Sequence, residues 1–309
     1  MYRNFCTLIA CVLVMTSAFA QTTDSTITNT EQPVEYVIEL INNNIIQGVV
    51  VSDDGREIGI KTTDRGLVFI PKYEIKTMTL AADLPVILGN KVYSNPHPGR
   101  YFYSPSGLSM KQGDAYVQAI YYVVYQAQYA ITDHWSIGAT TSIILSPILL
   151  NFKYTHELGT KENLHFVTGL QGGTISPWNS DDLLGVAYAG LTFGNPEHNL
   201  TLNAGSLRMR SMTQEWNGNT NKMDDVIVRQ NSPALSISVN QRISSTACLM
   251  AEFWYVIGDN NDIFVGGPGI RTYRGKKNSI DVAVLAASVS GNMSGLIPLV
   301  SWTQRIMEW

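Results

Sequence analysis

Trp135-Ser136-Ile137-Gly138-Ala139-Thr140-Thr141-Ser142-Ile143-Ile144-Leu145-Ser146 is the stretch that decides the fold class. Successive side chains of a strand point to opposite faces. Trp135, Ile137, Ala139, Thr141, Ile143 and Leu145 therefore share one face, and Ser136, Gly138, Thr140, Ser142, Ile144 and Ser146 share the other. A strand that is apolar on one side and small and polar on the other fits a closed membrane barrel, with lipid outside and a wet lumen inside. The pattern recurs. Leu150, Phe152, Tyr154 and Leu158 alternate with Asn151, Lys153, Thr155 and Glu157, with His156 interrupting the apolar stripe. Leu235, Ile237 and Val239 oppose Ser236, Ser238 and Asn240, and Ile280, Val282, Val284 and Ala286 oppose Asp281. A soluble sandwich alternates too. A charge in mid-strand between apolar neighbours suits a polar lumen better.

Working outward, short polar turns fall at 132–135, 159–163, 194–199, 240–246 and 274–278. The other connections lie near 146–147, 176–183, 207–231, 258–262 and 288–295, and Leu207–Asn231 is the longest. Short turns on one side and longer ones on the other are the habit of outer-membrane barrels. Placing the short series in the periplasm predicts an antiparallel barrel of 12 strands over residues 113–309. Residues 113–131 must then fold back near Tyr122–Gln126 or take a partner from residues 100–110. The run from Leu299 to Trp309 ends on an aromatic, as a last strand read by barrel-assembly machinery does, although Gln304 stands where an apolar residue is expected.

The first residues set the compartment. Arg3, an apolar run from Leu8 to Met15 and Ala18-Phe19-Ala20 form a signal peptide over 1–20, with Gln21 as the expected mature start. A lipoprotein cut before Cys11 would leave almost no apolar region. Cys6 and Cys11 leave with the signal, so Cys248 is the sole remaining thiol, and neither a disulfide nor a cysteine metal site is expected. Of 21 Lys and Arg, Arg3 is lost, leaving 20 against 25 Asp and Glu. That acidic balance argues against nucleic acid as a partner. The mature chain has no apolar run of about 18 residues, which excludes a helical membrane protein.

Residues 21–33 are polar and Thr-rich and read as a flexible leader. Residues 34–80 read as five short strands: 35–40, 45–51, 57–62, 67–70 and 75–80. Gly48 marks a sharp bend and Asp53-Asp54-Gly55 a hairpin turn. The Gly48-Val49-Val50-Val51 strand, the Ile58-Gly59-Ile60-Lys61 strand after Asp54, and Ile70-Pro71-Lys72-Tyr73-Glu74-Ile75 resemble an Sm-like or SH3-like small barrel. Residues 81–112 form a Pro-rich, aromatic linker, and residues 21–112 are expected in the periplasm.

That linker carries a second resemblance. Asn95-Pro96-His97-Pro98-Gly99-Arg100-Tyr101-Phe102-Tyr103-Ser104-Pro105-Ser106, then Gly113-Asp114-Ala115-Tyr116, then Tyr129-Ala130-Ile131-Thr132-Asp133-His134-Trp135-Ser136-Ile137-Gly138, resemble an uncharacterised family of outer-membrane barrel proteins of Gram-negative bacteria. Ala130 stands where that family usually has Gly. The resemblance implies a fold and an address, with no chemistry attached.

No catalytic cluster emerges. His97, His134, His156, His165 and His198 are scattered, and no H-E-x-x-H, G-x-S-x-G or phosphate loop occurs. The chain is expected not to be an enzyme and to need no cofactor or metal. The candidate site is a polar cluster in the lumen: Glu252, Arg271, Asp281, Lys153 and Glu157. Centring a hairpin on position 276 sets Tyr273 beside Ser279 and Arg271 beside Asp281, both pairs inward. Such a network either fills a narrow lumen or lines a selectivity constriction. Two functions follow. One is a narrow channel or transporter for small solutes. The other is a structural barrel anchoring the small periplasmic module to a protein partner. Conductance in planar bilayers separates them.

Overall fold

The computed structural model describes residues 34–307 except 43, 64, 85, 88–89, 160–162, 177, 218–221 and 260. The expected signal peptide and the stretch 21–33 lie outside the described residues.

Five antiparallel strands come first: β1 (Glu35–Leu40), β2 (Ile45–Asp53), β3 (Glu57–Thr62), β4 (Gly66–Pro71) and β5 (Ile75–Leu80). They pair in the order β4-β3-β2-β1-β5, with a 3-10 turn at Lys72–Glu74 between β4 and β5. Alternate apolar residues put Ile38, Leu40, Ile60 and Ile70 into one small core. Gly48 is where β2 presses on β3: a Cβ there would lie 2.3 Å from the Lys61 carbonyl oxygen. The turn after β2 is held by Asp54, which accepts from the Arg56 and Glu57 N–H groups at 2.9 and 2.7 Å. Those two bonds hold its carboxyl below the usual carboxylate range. A two-residue pair, β6 (Val86–Ile87) and β7 (Asn90–Lys91), follows.

Twelve strands then close a barrel. They are β8 (Ala115–Ile120), β9 (Val124–Ala130), β10 (Trp135–Ser142), β11 (Ile148–Glu157), β12 (Leu164–Ser176) and β13 (Asn179–Gly194), followed by β14 (His198–Asn217), β15 (Lys222–Arg242), β16 (Ala247–Val256), β17 (Ile263–Arg274), β18 (Asn278–Val289) and β19 (Asn292–Met307). Each pairs antiparallel with the next, and β19 closes on β8 through Ser301↔Ile120 to Met307↔Ala115. The count is the one the turn pattern predicts. Of the two routes open to residues 113–131, the chain takes the fold-back, turning at Tyr121–Val123, with Tyr121 and Tyr122 both at positive φ.

The barrel is inside-out relative to a soluble domain. Trp135, Leu150, Phe152, Leu170, Leu235, Val282 and Val300 are exposed on its outer wall. Ser136, Thr140, Thr155, Thr201, Asn203, Ser238, Ser279 and Thr303 are buried within it. Burying hydroxyls while exposing leucines has the wrong sign for water and the right sign for a bilayer. At the short-turn end Trp135 pairs with Tyr154, their rings 4.8 Å apart, as aromatic residues do at a membrane interface.

Two expectations fail. Over its described residues, the stretch Leu207–Asn231 is strand and not loop. β14 and β15 stay paired from His198↔Gln241 to Asn217↔Lys222. The neighbouring strands leave earlier, at Leu183↔Arg210 and Ala234↔Val256, so the two continue alone as a ribbon. Above a membrane both faces of a ribbon meet water, the apolar alternation vanishes, and Arg208, Arg210, Asp224 and Asp225 read as loop. The second failure is residues 81–112, whose later part is not a periplasmic linker. Val92, Tyr93, Asn95, His97, Arg100, Tyr101, Phe102, Ser104, Ser106 and Leu108 are all buried; Tyr93 packs with Val37 and Ala81 of the small unit, and the contacts described next place the part from Asn95 onward inside the barrel.

Candidate functional site

A barrel of this size leaves a lumen that its own wall side chains do not fill. Residues 95–108 enter that space. Pro96, Pro98 and Pro105 lack N–H groups and cannot extend the wall's ladder. The segment therefore folds on itself. Ser106 N–H donates to the Gly99 carbonyl at 3.1 Å and Tyr101 N–H to the Ser104 carbonyl at 2.9 Å, making a tight hairpin with Phe102 and Tyr103 at its tip. Its remaining backbone groups need partners away from bulk water, and wall side chains supply them.

At the root, Asn95 N–H donates to Glu197 Oε1 at 2.7 Å, and the other Glu197 oxygen accepts from Arg242 Nη1 at 2.9 Å. The Arg242 guanidinium lies 4.3 Å from the centre of the Tyr273 ring, within reach of a cation–π contact. At mid-height, Arg271 on β17 and Asp281 on β18 are register partners. Arg271 donates from Nε and Nη2 to Asp281 at 2.7 and 3.0 Å, a fork-on-carboxylate pair. Asp281 also accepts from Arg100 Nη1 at 3.2 Å and from Ser301 Oγ at 3.0 Å. Arg271 Nη2 donates onward to the Tyr101 carbonyl at 2.8 Å. Arg100, a hairpin residue, also bonds Thr303 on β19. At the tip, Glu252 accepts from the Tyr103 and Ser104 N–H groups at 3.0 and 2.9 Å and from Trp254 Nε1 at 2.7 Å. Lys153 Nζ donates to the Gly99 carbonyl at 2.8 Å. Gln118 donates to the Phe102 carbonyl at 2.9 Å, Thr192 Oγ1 accepts from Gly107 N–H at 2.6 Å, and Asn203 Nδ2 donates to Ser104 Oγ at 3.1 Å. Tyr101 and Phe102 pack against Cys248, Met250, Tyr273, Ala283 and Leu299.

Beyond the tip, toward the ribbon end, the lumen opens as a vestibule of about 440 Å³. Gln126, Gln128, Asn151, Lys153, Gln171 and Tyr188 form one wall. Trp254, Val256, Val265, Leu285 and Leu299 form another, and Arg100, Phe102 and Tyr103 form the floor. At the short-turn end the five-stranded unit stays close to the barrel: Lys276, in the turn before β18, donates to Thr79 Oγ1 at 3.3 Å and sits 4.5 Å from the centre of the Tyr93 ring.

Four of the five residues singled out by sequence, Glu252, Arg271, Asp281 and Lys153, are buried around the hairpin. Glu157 is not with them. It has the inward parity of Lys153 and Thr155, but it stands at the last position of β11, paired with His165, where the strand has left the lumen and the side chain is exposed. Sequence reasoning missed Arg100, Glu197 and Arg242. Arg100 carries a signal in hindsight, as the lone charge among the prolines and aromatics of 95–106. Glu197 and Arg242 sit at turns, where a charge ordinarily means solvent.

The architecture is that of an outer-membrane-type β-barrel whose lumen holds a segment of its own chain. No family model matches the sequence, and no curated protein does. Among solved structures, the chain is similar to the NanC porin, at 10% identity over 62% of this chain and 98% of that one, with a TM-score of 0.38. It is also similar to Salmonella typhi OmpF in complex with daunomycin, at 10% identity over 88% and 95% of the two chains, with a TM-score of 0.33. Likeness at that level carries no argument, and the barrel assignment stands on the strand register and the inside-out burial.

Proposed function

We propose that this protein is an outer-membrane channel for small solutes, narrowed and gated by its own 95–108 segment. The short turns and the five-stranded, Sm-like unit would face the periplasm, and the ribbon of β14 and β15 the exterior. Barrel-assembly machinery would read the last strand. The observation that carries the reading is how the hairpin is attached. It meets the wall through side-chain hydrogen bonds, ion pairs and packing, and contributes no strand to the barrel's closed ladder. It can therefore shift without opening the barrel. The Arg100–Asp281–Arg271 group would then be the constriction.

Purified full-length protein in planar bilayers tests this. The expected record is a closed baseline broken by small, brief openings. Silence from the wild type and from a variant with a loosened hairpin would reject the channel and leave the anchoring role for the small sheet.

A further inference from the structure

Most charges in the lumen are matched. Asp281 answers Arg271 and Arg100, Glu197 answers Arg242, and Asp114 answers Arg305 at 2.8 Å. Glu252 is an anion held by three N–H donors. Among the described lumen residues Lys153, like Glu252, has no ion-pair partner, and unlike Glu252 it makes a single hydrogen bond. It is buried, with 8% of its surface exposed, and it lines the vestibule. Its ammonium can donate three hydrogen bonds, and one goes to the Gly99 carbonyl. Asn151 stands two positions from it on the same face of β11, and its Nδ2 is buried without a partner. A cation with spare donors, next to an unused amide donor, is a site built for an oxygen anion. The opposite wall is Trp254, Val256, Val265, Leu285 and Leu299 together with Glu252, whose carboxylate accepts from the Tyr103 and Ser104 N–H groups and the Trp254 indole, so the bound molecule should carry an apolar body as well.

We propose that the vestibule binds a small amphipathic monocarboxylate, its carboxylate on Lys153 and Asn151 and its hydrocarbon or aryl part against the Trp254–Leu299 wall. This rests on reading the vestibule as open to solvent at the ribbon end. A single charge is implied because the other cation on the vestibule lining, Arg100, is already committed to Asp281, Thr303 and the Tyr101 carbonyl. A phosphate dianion would lack a second counter-charge. Lys153 also touches the hairpin at Gly99, so an anion drawn to its ammonium would compete with that contact.

The test uses full-length protein in nanodiscs, titrated calorimetrically with 4-phenylbutyrate, 4-phenylbutanol and 4-phenylbutylamine. The acid should bind more tightly than the alcohol by about tenfold, the worth of one charge-assisted contact, and the amine should bind more weakly than either. Lys153→Met should abolish the preference for acid over alcohol while leaving alcohol binding intact, which also shows that the variant is folded. Asn151→Ala should weaken the acid alone. Equal binding of all three probes, or an unchanged acid preference in Lys153→Met, overturns the site. Conductance measured on the same preparations keeps the two readings apart. Carboxylate-selective binding by a silent barrel supports the site and rejects the channel. Conductance without carboxylate preference rejects the site and leaves the channel.

Discussion

Asp281→Ala is expected to be the most destabilising single substitution in the barrel. Asp281 is fully buried and is the shared anion of Arg271 and Arg100, with Ser301 as a further donor. Removing it leaves two guanidiniums facing each other in the lumen. Breaking a buried pair by deleting one partner costs about 3–5 kcal/mol, and here two cations are stranded together. Arg271→Ala should cost less, because Asp281 keeps Arg100 and Ser301. The double variant should cost less than the sum of the two, since neighbours in one network do not add. Urea unfolding in liposomes, read by tryptophan fluorescence, measures all three. Additive losses, or Arg271→Ala worse than Asp281→Ala, would mean that the cluster is not one network.

Glu252→Ala should have the largest effect on conduction. The carboxylate caps the hairpin tip through the Tyr103 and Ser104 N–H groups, and it also holds the Trp254 indole. Alanine leaves those donors without an acceptor. An unmet buried donor costs about 1–3 kcal/mol. Water entering from the vestibule offsets part of that, so we expect the seated hairpin to lose about 3 kcal/mol, or roughly a hundredfold in the closed-to-open ratio. The barrel ladder should survive, because Glu252 makes its strand pairing to Ser238 and Gly267 through the backbone. Long-lived openings with unchanged heat-modifiable gel mobility are the expected result. A variant as closed as the wild type would show that the tip contact does not hold the gate.

Much of the barrel is legible in the chain because its requirements are local. Every wall strand must present lipid and lumen alternately, so Leu150, Phe152 and Tyr154 against Asn151, Lys153 and Thr155 announce themselves. The Arg271–Asp281 contact is equally local, since a short turn dictates which residues of a hairpin face each other. What stayed hidden is what crosses the lumen. The segment from Asn95 to Ser106 has the prolines and aromatics of a linker, and nothing in its pattern says that its carbonyls and N–H groups will meet Arg271, Glu252, Lys153 and Asn203 from different strands. The hairpin's partners lie up to 203 positions away in the chain, as Thr303 does from Arg100. Strand ends were hidden for another reason. Beyond the membrane the alternation no longer distinguishes two environments, so Glu157 keeps its inward parity after leaving the lumen, and residues 208–217 and 222–229 read as loop while forming a ladder.

A cross-link tests most directly that residues 95–108 sit inside a membrane-spanning barrel. Ser104 Oγ on the hairpin and Ser236 Oγ on β15 are 3.2 Å apart, close enough for two cysteines placed there to join after small rotations. Ser104→Cys with Ser236→Cys, in a Cys248→Ser background, should form an intramolecular disulfide under mild oxidation in intact membranes, seen as a faster band on a non-reducing denaturing gel. Ser104→Cys with Leu235→Cys, whose second partner faces outward, should not. Efficient cross-linking confined to the first pair is the predicted result. No cross-link in folded protein, or equal cross-linking of both pairs, would contradict the account.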